Sequence, residues 1–405
     1  MPATGTVRKA EEIATSVKNL PSLPAVVQKL IMVLDDTGSS AKDIEDIVAT
    51  DPALTARILK LANSPLYKGV DPVATISQSV TRLGFWKLRD VVISVGAAET
   101  LSELASEKAQ QDYWHHALHT ATCSNILATT AGLPIPEEAF VTGLLHDIGE
   151  LVFAAISPER YTQYWELDPQ HRLEQEEELF GATHPRVGNM LLRQWLLPKP
   201  LCDAVRLHHT EKVYSSKREP VISVVALADM LGKVHCIGSE PNCPAKTLFL
   251  VTKRAGVRID QIAEVLRQVD KQVADTQKRL EIAGDVSFLT RTASTRNYTV
   301  AVISSEPAMV TWLQQLLSYF GHTIMPLPDF FNAPDEAHLV ILDPEAASPR
   351  RLARLMPVLE QTRDRLVILD SGIEMSPGDL QEWALPKIGL FLTRDEIERY
   401  ADGSA

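Results

Sequence analysis

The sequence lacks three features that would assign it to a large class of proteins at once. Its four cysteines, Cys123, Cys202, Cys236 and Cys243, form no CxxC pair, which argues against a disulfide scaffold or a zinc ribbon. The net charge of −12 argues against binding to nucleic acid or to an anionic membrane. No stretch approaches the roughly eighteen apolar residues of a membrane span, and the start of the sequence lacks the apolar core of a signal peptide. We therefore expect a cytoplasmic protein with no nucleic-acid or membrane partner.

The 405 residues are too many for one ordinary domain, and the pattern of apolar residues changes along the chain. Over residues 13–282, apolar residues recur every three or four positions, which is typical of helices, as in "LTARILKLAN". A polar, charged stretch near residue 105 divides this all-α part into two predicted lobes, about 13–105 and 106–282.

The last predicted helix of this part covers residues 259–282. Its apolar face comprises Ile259, Ile262, Leu266, Val269 and Val273. Packing of that face on its own domain is the simpler interpretation. A coiled-coil homodimer is the alternative, although the apolar seam is short and Thr276 interrupts it.

After a small and polar linker, predicted over residues 283–297, the period of the apolar residues changes. Short β-rich runs follow, namely "YTVAVIS", "HTIMPL", "HLVILD", "RLVILD" and "GLFLT". Helical segments lie between several of these runs. Strands that alternate with helices predict a parallel sheet covered by helices, and therefore a small α/β domain over residues 298–405.

Histidines are concentrated in the middle of the chain, where nine of the eleven lie between His115 and His235. In a helical and partly apolar context, an unpaired imidazole or carboxylate is costly to bury, and a bound cation would remove that cost. Imidazoles and carboxylates suit divalent Fe, Mn or Mg, and two such ions can share one carboxylate and hold a phosphate ester. The candidate ligands are His116, His146, Asp147, His184, His208, His209 and Asp229, with Asp112 as a further candidate one helical turn before His116.

Several long motifs in this region resemble those of the HD superfamily. The segments that carry the resemblance are "LLHDIGEL" and "FGATHPRVGNMLLRQWLLPKPLCDAVRLHHT". The N-terminal motifs "LPSLPAVVQKL" and "IVATDPALTARILKLANSPLY" make the bacterial HDOD signalling domains the better match. The resemblance covers roughly residues 13–235. It implies an all-helical domain that acts through contacts with signalling proteins, whose identity the sequence does not give.

The resemblance extends to the HD-GYP phosphodiesterases, whose metal ligands follow the order His, His-Asp, His, His-His, Asp. That order falls on the seven candidates above, and Asp112 stands where those enzymes have an acidic ligand. Two departures argue against the same activity. Glu150 replaces the lysine that contacts the substrate phosphate, and no Gly-Tyr-Pro segment follows the His-His pair. The sequence thus favours a non-catalytic signalling module that retains a divalent-metal site. The alternatives are a metal-dependent phosphohydrolase with a two-metal centre and a purely structural metal.

The C-terminal part resembles a response-regulator receiver domain, which implies a flavodoxin-like fold. Asp343, at the end of the predicted third strand, stands where a receiver has its phospho-acceptor. Ser304 and Ser305 replace the acidic pair that would hold Mg²⁺, and hydroxyl groups are poor substitutes for carboxylates. Arg394 stands where the resemblance leads us to expect a lysine. We interpret this part as a degenerate receiver-like domain that is not phosphorylated and serves interaction or dimerisation.

Overall fold

The computed structural model of the protein describes most of residues 13–363, together with two later strands. Single residues and short stretches, mainly between 85 and 99, lie outside the described residues. The longer stretches outside them are 1–12, 18–22, 64–71, 101–105, 167–171, 211–219, 235–244, 281–296, 343–348, 370–386 and 389–405. Asp343 and Arg394 fall in these longer stretches and Ser305 in a short one, so the predicted phospho-acceptor lies outside the described residues.

The first helical lobe begins with short amphipathic helices. The described ones are α1 (Ala25–Asp35), α2 (Ala41–Val48), α3 (Pro52–Ala62) and α4 (Ile76–Leu83). Helices α2 and α4 start with reciprocal capping boxes, Ser40 with Asp43 and Thr75 with Gln78. These side chains satisfy backbone N–H groups that the first turn of a helix leaves without partners.

The second lobe supplies the helices that later carry the histidines. They are α5 (Glu107–Thr130), α6 (Pro136–Leu145), α7 (Ile148–Ile156), α8 (Pro158–Glu166), α9 (Arg172–Phe180), α10 (His184–Gln194), α11 (Lys199–Leu207) and α12 (Pro220–Val234). The described residues of both lobes are helical with no strand, as the sequence predicts.

One detail of the prediction is wrong. The helical periodicity over residues 13–282 predicts helix throughout the apolar stretch "LLHDIGEL", but α6 ends before His146 and α7 begins after Asp147. Asp147 leaves the helical region of the backbone, with φ −103° and ψ 19°. The expectation that no stretch approaches a membrane span also needs correction, because the run Pro136–Ile156 is long and apolar enough to cross a membrane. However, 83% of its most apolar window is buried inside the protein, as in a core helix.

Two further helices follow, α13 (Ala245–Arg254) and, after a 3₁₀ turn at Ile259–Gln261, α14 (Ile262–Leu280). The apolar face of α14 is buried within the protein at Ile262, Leu266, Val269 and Val273. This burial agrees with packing of the face inside one chain, the simpler of the two interpretations of this helix.

The C-terminal part is built on a parallel sheet. Its described elements are β1 (Thr299–Ile303), α15 (Pro307–Tyr319), β2 (Thr323–Met325), α16 (Leu327–Asn332), a 3₁₀ turn (Pro334–Glu336), β3 (Leu339–Leu342), α17 (Pro349–Gln361), β4 (Leu366–Leu369) and β5 (Lys387–Ile388). The strand order is β2-β1-β3-β4-β5, and every described pair is parallel. The first four strands match the predicted runs. The fifth lies directly before "GLFLT", which is outside the described residues.

The chain divides into two compact units. One comprises residues 1–229 and 269–285, and the other comprises residues 230–268 and 286–405. The second unit thus takes in residues 230–268, which the sequence analysis assigned to the helical domain. The boundaries 13–282, 283–297 and 298–405 stay a prediction.

Close packing of α7 against the start of α10 requires a residue without a side chain. A Cβ atom on Gly149 would lie 2.1 Å from the backbone oxygen of His184 and 2.8 Å from its carbonyl carbon. Because both are backbone atoms, neither can move away without shifting α10. This contact sets the distance between the Asp147 turn and His184.

We predict that Gly149→Ala destabilises the fold, because the added methyl group overlaps the α10 backbone. Such overpacking typically lowers the free energy of unfolding by about 1–3 kcal/mol, and overlap with backbone places this change at or above the upper end. Chemical denaturation of the purified variant measures the effect. Gly188→Ala is the matched control, since its Cβ would meet methyl groups of Ile148 and Val205 at 3.2 Å, which can give way. Equal stability of Gly149→Ala and wild type would contradict the packing described here.

Candidate metal centre

Five helix-bearing segments bring the predicted ligands to one place. His116 lies on α5, and His146 and Asp147 form the turn between α6 and α7. The others are His184, the first residue of α10, His208 and His209 directly after α11, and Asp229 on α12. The structure brings all seven together in two overlapping groups, whose potential ligand atoms lie within 4.8 Å of one another in each group.

Asp147 lies at the junction of the two groups. Its Oδ2 is 3.1 Å from Nε2 of His116 and 3.1 Å from Nε2 of His146. Its Oδ1 is 3.1 Å from Nε2 of His184 and 3.3 Å from Nε2 of His208. One carboxylate therefore faces four imidazoles, two through each oxygen.

The second carboxylate, Asp229, completes the first group. Its Oδ1 is 3.2 Å from Nε2 of His116 and 3.7 Å from Nε2 of His146. Its other oxygen lies 3.9 Å from Nδ1 of His209, a residue of the second group. The first group is thus His116, His146, Asp147 and Asp229, and the second is Asp147, His184, His208 and His209.

Hydrogen bonds on the outer side of the rings orient two imidazoles. Nδ1 of His146 donates to the carbonyl oxygen of Gly143 at 2.8 Å, and Nδ1 of His208 donates to that of Val205 at 2.6 Å. A proton on Nδ1 leaves the lone pair of a neutral ring on Nε2, which faces the centre. This is the arrangement of a metal-ligating histidine.

Several inward-facing atoms fit a cation better than they fit one another. Asp147 Oδ1, His184 Nε2 and His208 Nε2 are buried and make no hydrogen bond. The Nε2 atoms of His116 and His146 lie 3.0 Å apart, where their two lone pairs would repel unless one nitrogen carries a proton or both bind a cation. In octahedral coordination, metal–ligand bonds of about 2.0–2.1 Å separate neighbouring ligand atoms by roughly 3 Å. The residues present therefore fit a divalent ion in each group.

The charges of the cluster are strongly coupled. Burial would lower the pKa of His116, but hydrogen bonds to Asp147 and Asp229 raise that pKa to about 10. Burial would raise the pKa of Asp147, but His146 and His184 hold it well below its usual range. Burial lowers the pKa of His208, which keeps this imidazole neutral. Without a cation, protons on the histidines thus balance the ionised carboxylates, and a metal ion would replace such protons.

Glu150, in the first turn of α7, is less fully ionised than its residue type alone suggests. Its side chain is half-buried, and burial together with the charge of Asp147 raises its pKa to about 7. The carboxyl group is consequently only partly ionised at neutral pH. Its repulsion of a phosphate is weaker than a full charge at this position would give.

Sequence analysis missed Glu176 on α9, which contacts His184 directly. Its carboxylate is fully buried and lies 2.7 Å from Nδ1 of His184. Tyr164 on α8 also donates a hydrogen bond to it. The acidic run "LEQEEELF" suggests an exposed helix face, and only the four-residue spacing from Glu176 to buried Phe180 signals that Glu176 faces inward. Asp112 lies on α5 as predicted, but its side chain is outside the described residues.

Comparison with known proteins supports the sequence assignment of the helical region. Residues 20–211 match the HDOD domain family. This range includes every candidate ligand except Asp229, which lies beyond its end. An uncharacterized protein of Treponema pallidum (strain Nichols) is 30% identical over 233 residues, which are 56% of this chain and 45% of that relative. The matched part thus spans less than half of that relative.

Solved structures show the same fold. An HDOD domain protein of unknown function from Geobacter sulfurreducens is 26% identical, with a TM-score of 0.56 over 67% of this chain and 99% of its own. A proposed phosphohydrolase from Shewanella amazonensis SB2B is also 26% identical, with a TM-score of 0.54 over 66% of this chain and 97% of its own. The prediction of an HDOD domain is confirmed over residues 20–211.

Proposed function

We propose that the HDOD domain of this chain binds two divalent cations and acts in signal transduction through protein–protein contacts. The observation that carries the metal proposal is the position of Asp147, which offers each of its two oxygens to a different pair of imidazoles. A carboxylate in that position suits two ions that share it.

Each cation would have its own ligand set. The first set is His116, His146, Oδ2 of Asp147 and Asp229, and the second is His184, His208, His209 and Oδ1 of Asp147. Bound cations would supply positive charge that neutralises the buried carboxylates. The ligands themselves come from five separate segments, so their convergence fixes these segments against one another. Mixed imidazole and carboxylate ligands suit Fe, Mn or Mg.

Two observations support a signalling role over turnover. The ligands are almost wholly buried, and only His209 has a side chain with substantial exposure, 21%. A phosphodiester substrate would therefore have little access to the ligand atoms among the described residues. Glu150 also stands where a lysine would contact the substrate phosphate, and a carboxyl group gives no attraction there. Both observations argue against turnover, so contacts with signalling proteins remain the output that we propose. The net charge of −12 is our ground for proposing no nucleic-acid or membrane partner.

A metal-dependent phosphohydrolase is the second candidate, because the shared carboxylate is also what a two-metal hydrolytic centre needs. Two bound cations would supply Lewis acidity and lower the pKa of a water between them. The chain itself offers the carboxyl group of Glu150, in the first turn of α7, as a group that would accept or return a proton. The resemblance in fold and sequence to the Shewanella amazonensis protein favours keeping this candidate.

We predict that purified wild-type protein binds two equivalents of Mn²⁺ or Fe²⁺ and that His146→Ala loses at least one, because His146 is a ligand of the first cation. Elemental analysis after loading counts the ions. His338→Ala, an exposed histidine of the C-terminal part, is the matched control. Wild-type protein that resists loading would overturn the metal proposal.

The same variants separate the candidate functions. A phosphodiester assay with added Mn²⁺ or Fe²⁺ should show no turnover by wild type. Turnover by wild type that His146→Ala abolishes would contradict the non-catalytic role and establish the hydrolase. If the metal is purely structural, its loss in His146→Ala should lower the melting temperature of the protein and leave the capture of signalling partners unchanged.

We infer that the C-terminal domain is a degenerate receiver-like domain. Its strand order, β2-β1-β3-β4-β5, is the order of flavodoxin-like folds, in which the functional site lies at the carboxyl ends of the strands. Ser304 directly follows β1 and is buried, where a receiver would offer a carboxylate to Mg²⁺. A domain of this kind would serve interaction or dimerisation.

We expect the full chain to remain unphosphorylated when incubated with acetyl phosphate and Mg²⁺, because serines replace the acidic pair and cannot hold the ion well. Intact mass spectrometry under conditions that preserve acyl phosphates checks this. A functional receiver domain treated in parallel is the positive control. A stable addition of one phosphoryl group, lost in Asp343→Asn, would contradict the inference.

A further inference from the structure

The imidazoles of the centre differ in the hydrogen-bond partner of Nδ1, the ring nitrogen that faces away from the centre. Backbone carbonyl oxygens accept the outer N–H groups of His146 and His208. His184 has a carboxylate instead, because Oε1 of Glu176 lies 2.7 Å from its Nδ1. A carboxylate behind a ligating imidazole fixes the ring and increases its basicity more than a neutral carbonyl does.

Glu176 is itself held in one orientation. Its Oε2 accepts the backbone N–H of His184 at 2.6 Å, and its Oε1 accepts the hydroxyl of Tyr164 at 2.9 Å. The Tyr164 ring and the Glu176 carboxylate are both fully buried. With three donors around it, the carboxylate has little freedom to turn away from the imidazole.

The two ligand sets also differ in direct carboxylate ligands. The first has Asp229 as well as its share of Asp147, whereas the second has three histidines and only its share of Asp147. Glu176 restores the balance, since it brings a second carboxylate to the second set through the His184 ring. Each cation position would then be associated with one shared carboxylate and one of its own.

We propose that Glu176 is a positioning residue that orients His184 and makes the second cation position competent to bind a divalent ion. Tyr164 supports it by fixing the carboxylate. This inference rests on the proposed metal centre. According to this inference Glu176, which is not in the predicted ligand set, sets the binding affinity of one of the two cations.

The test is a titration of metal-free wild type and Glu176→Gln with Mn²⁺, followed by calorimetry and by counting of bound ions with electron paramagnetic resonance. Loss of a partner behind a ligand typically weakens metal affinity about 10–100-fold. We expect this loss at one of the two binding steps in Glu176→Gln, and a smaller loss at the same step in Tyr164→Phe. Glu174→Gln, exposed on the same helix, is the matched control and should bind like wild type.

A structural role alone would give a different result. Glu176 also accepts the first backbone N–H of α10, but the side-chain oxygen of glutamine can still do so. A merely structural role would therefore lower the melting temperature and leave both binding steps unchanged. If Glu176 positions His184, Glu176→Gln should also change which ring nitrogen of His184 carries a proton, but not which one of His146 does. Nitrogen-15 chemical shifts of the two histidine rings measure this change.

The outcomes separate this inference from the one on which it rests. Wild-type protein that binds no Mn²⁺ would remove the metal centre and the inference with it. Wild-type protein that binds two ions, with Glu176→Gln binding both equally well, would overturn the inference alone. Equal weakening of both steps would also overturn it, because Glu176 contacts only the His184 side.

Discussion

The arrangement of the helical domain depends on one buried carboxylate that is surrounded by imidazoles. Asp147 contacts four histidine side chains that come from four different parts of the chain. An ionised group at this depth is costly unless opposite charge compensates it. Protons on His116 and His184 can supply that charge, and so can divalent ions. Either way, the helices that carry the histidines must converge on this carboxylate.

Local backbone features make this convergence possible. The break between α6 and α7 gives His146 and Asp147 different backbone conformations, so both side chains can point to the centre. On a continuous helix, adjacent side chains would point about 100° apart. Two residues later, Gly149 lets α7 approach the backbone of His184 closely. The motif thus combines two ligands, a helix break and a close helix contact within four residues.

Much of the helical domain and nearly all of the candidate ligands could be predicted from the sequence. Periodic apolar residues indicate helices, and the histidines stand out because a helical core rarely contains so many. The break at His146 could not be predicted, because the surrounding residues are all compatible with one apolar helix. Glu176 was missed because its role depends on a contact across eight residues and two helices, which no local pattern encodes. The raised pKa of Glu150 likewise depends on burial and on Asp147, so the residue type alone suggested a stronger charge than the structure supports.

In the C-terminal sheet, the sequence pattern predicts the strands but not the chemistry at their carboxyl ends. The parallel order of its strands follows from alternating strands and helices, and the first four strands lie where the apolar runs place them. The chemistry expected at the strand ends depends on individual side chains, and Asp343 lies outside the described residues. Fold and activity are therefore separate questions for this domain.

The most direct test of the central claim is the metal content of Asp147→Asn after loading with Mn²⁺, measured together with its thermal stability. Asparagine has nearly the same shape, but its amide nitrogen is no metal ligand and it carries no charge. If Asp147 is shared by two ions, the variant should lose both, while Asp203→Asn, on α11 and paired with Lys199, should retain them. A folded Asp147→Asn variant that binds as much Mn²⁺ as wild type would contradict the account.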